Sequence, residues 1–142
     1  MFLDIIELLC KGNISMIVFT NEYLKIYYNR VKSTVIIKWL PENQSISQIE
    51  FYQALVTISQ CIDAYPHRYM LLDFYEFSYW CCPELSSFFM QLQHSINNGN
   101  IAIILSNCLL GKLALKNILE IHPSLIVLSD RKEGAHWLRH LI

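Results

Sequence analysis

The amino-acid sequence predicts an α/β domain: a mixed β-sheet, an antiparallel hairpin followed by alternating strands and helices, covered by helices. Three observations carry this. Two neighbouring stretches near the amino terminus alternate apolar and polar residues with period two, the pattern of paired strands. From residue 69 onward, short apolar runs alternate with segments of helical periodicity. Hydrophobic residues make up 54% of the 142 residues and charged residues only 16%, which supplies ample apolar surface for one core.

Residues 1–12 read as a short amphipathic helix preceding a single body, 13–142. Phe2, Leu3, Ile5, Ile6, Leu8 and Leu9 give it an apolar face, interrupted by Asp4 and Glu7. The segment lacks the basic leader of a signal peptide. It is a candidate for capping the sheet or for packing on a second subunit.

Residues 14–20 form a first strand, ended by Asn21-Glu22. Leu24, Ile26 and Tyr28 alternate with Lys25, Tyr27 and Asn29, and Val35, Ile37 and Trp39 alternate with Thr34, Ile36 and Lys38. The short polar link 29–33 makes these two half-buried strands a hairpin. Lys25, Arg30, Lys32 and Lys38 sit on it where edge lysines discourage sheet-to-sheet association.

Pro41 to Gln44 read as a loop. Ser47 and Glu50 then form a capping box, with Ile46 and Phe51 at the spacing of a hydrophobic staple. Phe51, Leu55, Ile58 and Ile62 mark the buried face of the helix that follows, and Tyr65-Pro66 ends it. Residues 69–74 are a central strand ending at Asp73. Pro83 and Glu84 suit the first turn of a helix whose inner face is Leu85, Phe88, Phe89, Leu92 and Ile96. Asn97-Asn98-Gly99 stops it.

Residues 101–105 are a buried strand. Ser106 is positioned to cap a helix carrying Leu110, Leu113 and Ile118 inward and Lys112, Lys116 and Glu120 outward. His122-Pro123 closes that helix, and 125–128 is the last strand. Asp130, three residues before Glu133, opens a final helix through Trp137, Leu138 and Leu141.

In this order the elements resemble the STAS domain, the fold of bacterial anti-sigma-factor antagonists and of STAS-like relatives among uncharacterised bacterial proteins. The resemblance runs from about Glu22 to the carboxyl terminus. It lies in strand 70–73 leading through Phe77-Ser78-Tyr79 to a helix at Leu85, and in strand 101–105 following that helix promptly. The closing Leu128-Ser129-Asp130, with Glu133, Ala135, Trp137 and Leu138, is similar to the acid-capped last helix of the group. The resemblance implies a regulatory domain that works by binding other proteins. Antagonists of that family carry Asp-Ser-Ser-Gly, with a phosphorylated serine, ahead of the second helix. Here Cys81, Cys82, Pro83 and Glu84 occupy the place, so the phosphorylation switch is not carried over.

Several constellations invite a chemical reading. Cys82, next to Cys81 and capping a helix that begins at Pro83, would lie where unpaired N–H groups favour thiolate; filling space beside Trp80 is the plainer expectation. The five cysteines show no CxxC pair and fit reduced thiols of a cytoplasmic protein. Phe74, Tyr75, Phe77, Tyr79 and Trp80 would be anchors for a partner if exposed, although core packing accounts for such rings more often. Asp73 and Glu76 read as a solvated loop face rather than an acid/base pair. His136 and His140 have metal-compatible i, i+4 spacing but no HExxH context. Gly111-Lys112 lacks a P-loop's glycines.

A net charge of −1 gives no footprint for nucleic acid, and no apolar run approaches the roughly 20 residues of a membrane span. No cofactor, metal or catalytic set is expected. The expectation is therefore a non-enzymatic interaction or regulatory domain binding another protein or itself as a homodimer. Its candidate contact residues are Ser78, Tyr79, Trp80, Cys81 and Cys82. The alternative is a domain holding a small apolar, lipid-like ligand between helix and sheet.

Overall fold

The computed structural model describes residues 15–79 and 82–141, the side chain of Cys82 excepted. The expected amino-terminal helix 1–12 lies outside the described residues.

Six strands form one mixed sheet in chain order: β1 (Ser15–Thr20), β2 (Leu24–Asn29), β3 (Thr34–Trp39), β4 (Tyr69–Asp73), β5 (Ile101–Ile104) and β6 (Ile126–Leu128). β1–β2 and β2–β3 pair antiparallel; β3 to β6 run parallel. Asn29 and Thr34 close the β2–β3 hairpin as partners, and Ser33 takes the left-handed conformation (φ 50°) its tight turn requires.

Each parallel step needs a crossover, and the crossovers carry the helices. These are α1 (Gln48–Ala64), α2 (Cys82–Gln91) with the short α3 (Gln93–Asn97), and α4 (Leu109–Ile121). Because the parallel strands follow in sequence order, all these helices lie on one face, over a core that includes Trp39, Phe51, Leu72, Phe89, Ile103 and Leu115. The last helix, α5 (Arg131–Arg139), covers the other face, where Leu138 meets Leu71, Ala102 and Ile104.

Local signals explain the boundaries. Ser47 and Glu50 make both reciprocal hydrogen bonds of the capping box, and the staple residues Ile46 and Phe51 are both buried. Gly99 ends the α3 segment at φ 72°. The Asp130 carboxylate accepts from the Glu133 N–H at the start of α5, and Glu133 reaches back to the Ser129 N–H. Residues 41–45 form a 3-10 turn rather than an open loop.

Four expectations are corrected. The hairpin strands are not half-exposed. β2 and β3 lie inside the sheet, every residue of β3 is buried, and Lys38 is only 7% exposed, so Lys25 and Lys38 do not guard an edge. Leu110 and Leu113 of α4 face outward, and Gly111, Ala114, Leu115 and Ile118 face inward. The cap of α4 is Cys108, whose Sγ accepts from the Gly111 N–H at 3.4 Å, not Ser106. The helix predicted from Pro83 to Ile96 breaks at Leu92 into α2 and α3.

Candidate functional site

Parallel strands place their carboxyl ends, and the loops that follow, on one rim, the usual location of sites in open α/β sheets. Here that rim is held by a polar network. Asn43, fully buried in the turn after β3, donates through Nδ2 to the Glu76 carbonyl at 2.7 Å and to the Leu40 carbonyl. Its Oδ1 accepts from the Ser78 N–H at 2.9 Å and the Ser78 hydroxyl at 3.3 Å. On the other side, the Ser106 hydroxyl donates to the Phe77 carbonyl at 2.6 Å and accepts from the Cys108 N–H. The loop after β4 is thus pinned from both neighbouring crossovers. Phe74 and Phe77 sit in the core against Trp39, as core packing of that aromatic run anticipates.

The expected contact residues divide accordingly. Ser78 is spent on Asn43. Tyr79 is half-buried and packs its ring 4.6 Å from that of Phe51. Trp80 and Cys81 lie outside the described residues. α2 begins at Cys82, one residue earlier than expected, so Cys82 is its first residue rather than its cap. The reactive-thiol reading of Cys82 rests on a side chain outside the description. Elsewhere, Cys61 and Cys108 are free thiols, and burial pushes the Cys61 thiol up from its ordinary value.

Asp73 is also corrected. Rather than sitting on a solvated loop face, it is fully buried on the second face of the sheet, beside Lys38 in register, and accepts from Arg131 Nε at 2.9 Å. Glu76 reaches the same guanidinium at 3.7 Å, and the guanidinium lies 5.0 Å from the Tyr75 ring centroid. The pair shares an arginine, which locks α5 to the rim. His136 and His140 bring their rings within 4.1 Å at the exposed end of α5, and among the described residues no third metal-binding side chain joins them.

An open groove lies elsewhere, between α1 and α2 on their outer side. Both helices start at the same rim and run the same way, leaving a groove of about 310 Å3. Leu55 and Phe88 form its floor; Tyr52 and Val56 form one wall, with Tyr52 59% exposed. Hydrogen bonds bridge it near each end, Gln48 Nε2 to Glu84 Oε1 at 3.2 Å and Ser59 Oγ to Gln91 Oε1 at 3.4 Å. Ile49, Tyr52 and Val56, three and four residues apart, continue the apolar wall along α1. The groove has an apolar floor and polar ends, an arrangement that takes inserted apolar side chains and orients them by hydrogen bonds at the rim. The space between helices and sheet, in contrast, is occupied by stacked rings, Trp39 on Phe51 at 5.6 Å among them.

Sequence patterns did not single out this groove. Its signal was the 49, 52, 56 stripe on the side of α1 opposite the one used to assign the helix. The roles of Asn43 and Arg131 depend on partners 33 and 58 residues away, which no local pattern reveals. Comparison with protein-family models, curated proteins and solved structures finds no match.

Among the described residues, no helix is long and apolar enough to cross a membrane.

Proposed function

We propose that this chain is a non-enzymatic protein-interaction domain of regulatory type that binds through the groove between α1 and α2. The carrying observation is the contrast between two surfaces. Polar side chains on the strand-end rim are engaged in holding loops together, whereas the α1–α2 groove presents unpaired apolar side chains in a preformed concavity. The resemblance to STAS domains in element order supports the same reading. Free thiols at Cys61 and Cys108 suit a reducing, cytoplasmic setting. An apolar small molecule is the second reading, and the packed rings under the helices direct it to the same groove rather than to the space above the sheet.

A photo-crosslinking amino acid in place of Tyr52, on the groove wall, tests the proposal in host lysate. The expected result is a discrete protein adduct, absent when the same group replaces His136 on α5. Crosslinking equal at both positions, or at neither, rejects the groove as an interaction site.

A further inference from the structure

The groove and the outer face of α4 are complementary. α1 and α2 contain no lysine or arginine; their charges are Glu50, Asp63 and Glu84, and the last two line the groove, Glu84 beside its Gln48 bridge. The first two turns of α4 show the converse, its one acid, Glu120, lying in the last turn. The helix exposes Leu109 (71%), Leu110 and Leu113 in its first turns, interleaved with exposed Lys112 and, one turn on, Lys116. An amphipathic helix with apolar anchors and lysines fits a groove with an apolar floor and acidic borders.

We infer that the partner in the groove is α4 of a second copy of this chain, in a closed twofold dimer. This rests on the groove being the interaction site and adds the identity of the occupant. The topology supplies the symmetry. α1, α2 and α4 follow β3, β4 and β5, so they lie side by side in that order over one face and all run from the same rim. A twofold axis parallel to the helices, above α2 but offset towards α4, lays one helical layer on another with the order reversed. Each α4 then lies over its partner's α1–α2 groove, and both contacts form at once, so the assembly closes at two copies. The same axis preserves height along the helices. Lys112, the fourth residue of α4, comes near the level of Glu84, the third of α2, and Leu113 near that of Tyr52, each the fifth residue of its helix.

Sedimentation velocity of the full chain, from 1 to 100 µM, tests the inference. The wild type is expected to reach the dimer within that range. Leu113→Glu, on an exposed position, is expected to be monomeric throughout with an unchanged near-ultraviolet circular dichroism spectrum. Glu84→Lys and Lys112→Glu are each expected to weaken dimerisation at least tenfold, and the double variant to recover most of the loss. A wild type monomeric at 100 µM overturns the inference. So does a dimer indifferent to Leu113→Glu, or a charge swap with no recovery. Purified protein with the crosslinker at position 52 separates this failure from that of the groove itself. An adduct in lysate but not in purified protein rejects the second copy and keeps the groove; no adduct in either rejects both.

Discussion

Arg131, the first residue of α5, reaches across the rim to place its Nε 2.9 Å from Asp73 Oδ2, and Asp73 has no exposed side-chain surface. This pair joins the helix on the second face to the central strand β4. The other carboxylate oxygen of Asp73 accepts from the Tyr75 N–H at 3.0 Å, so one side chain fixes both α5 and the turn after β4.

Arg131→Met is therefore expected to cost about 3 kcal/mol, because it removes the guanidinium from a buried carboxylate. Urea denaturation followed by circular dichroism measures it. A loss below about 1 kcal/mol, typical of an exposed ion pair, would show that Asp73 gains little from the contact.

Gly111 lies where α4 meets the pinned loop. A Cβ there would stand 2.0 Å from the Phe77 carbonyl oxygen and 2.1 Å from Ser106 Oγ. Helix propensity alone would make Gly111→Ala stabilising by about 1 kcal/mol. The steric conflict is with backbone, so the expected outcome is destabilisation of about 1–3 kcal/mol, as in overpacked cores. The sign of the change in urea midpoint decides between them.

Tyr23 and Glu50 give the fold a pH signature. The Tyr23 hydroxyl donates to Glu50 Oε2 at 2.9 Å. That bond, with burial and the nearby Glu22 charge, pushes the phenol up to about 12. The Ser47 backbone N–H, then the Tyr23 and Ser47 side chains, hold Glu50 below its ordinary value. The two signs differ. The raised phenol contributes stability below its unfolded value near 10, lost as pH rises from there through 12. The depressed carboxylate contributes above its unfolded value, lost as pH falls through its lower folded one. Tyrosinate absorbance should show the Tyr23 phenol titrating late, and Glu50→Gln should move it down towards about 10. A titration unchanged by that substitution would mean the hydrogen bond is not the cause.

These particulars show what sequence patterns carry. Local chemistry was legible: the Ser47–Glu50 box, the Asp130 cap, the Gly99 stop and the alternation marking β2 and β3 all have their determinants within four residues. What failed were judgements about which side faces the core. On α4, hydrophobicity pointed Leu110 and Leu113 inward. The helix instead approaches the Phe77 loop so closely at Gly111 that a side chain would not fit there, and Leu110 and Leu113 turn outward. Asp73 and Lys38 looked solvated because charge is rarely buried, yet both lie on interior strands. The strand-end residues singled out as contacts were legible as a loop, but Ser78 is used by Asn43, a long-range partner. The α1–α2 groove required two helices whose facing residues are 36 and 32 positions apart to be placed side by side.

The most direct test of the central claim is methyl-resolved NMR of the full chain while its binding partner, or its own concentration, is raised to saturation. Val56 and Leu55 line the groove, whereas Val127 is an exposed methyl-bearing residue of β6 at the far edge of the sheet. Binding through the groove predicts shifts or broadening at Val56 and Leu55, with Val127 unmoved. Perturbation centred on Val127, with Val56 silent at saturation, would contradict it.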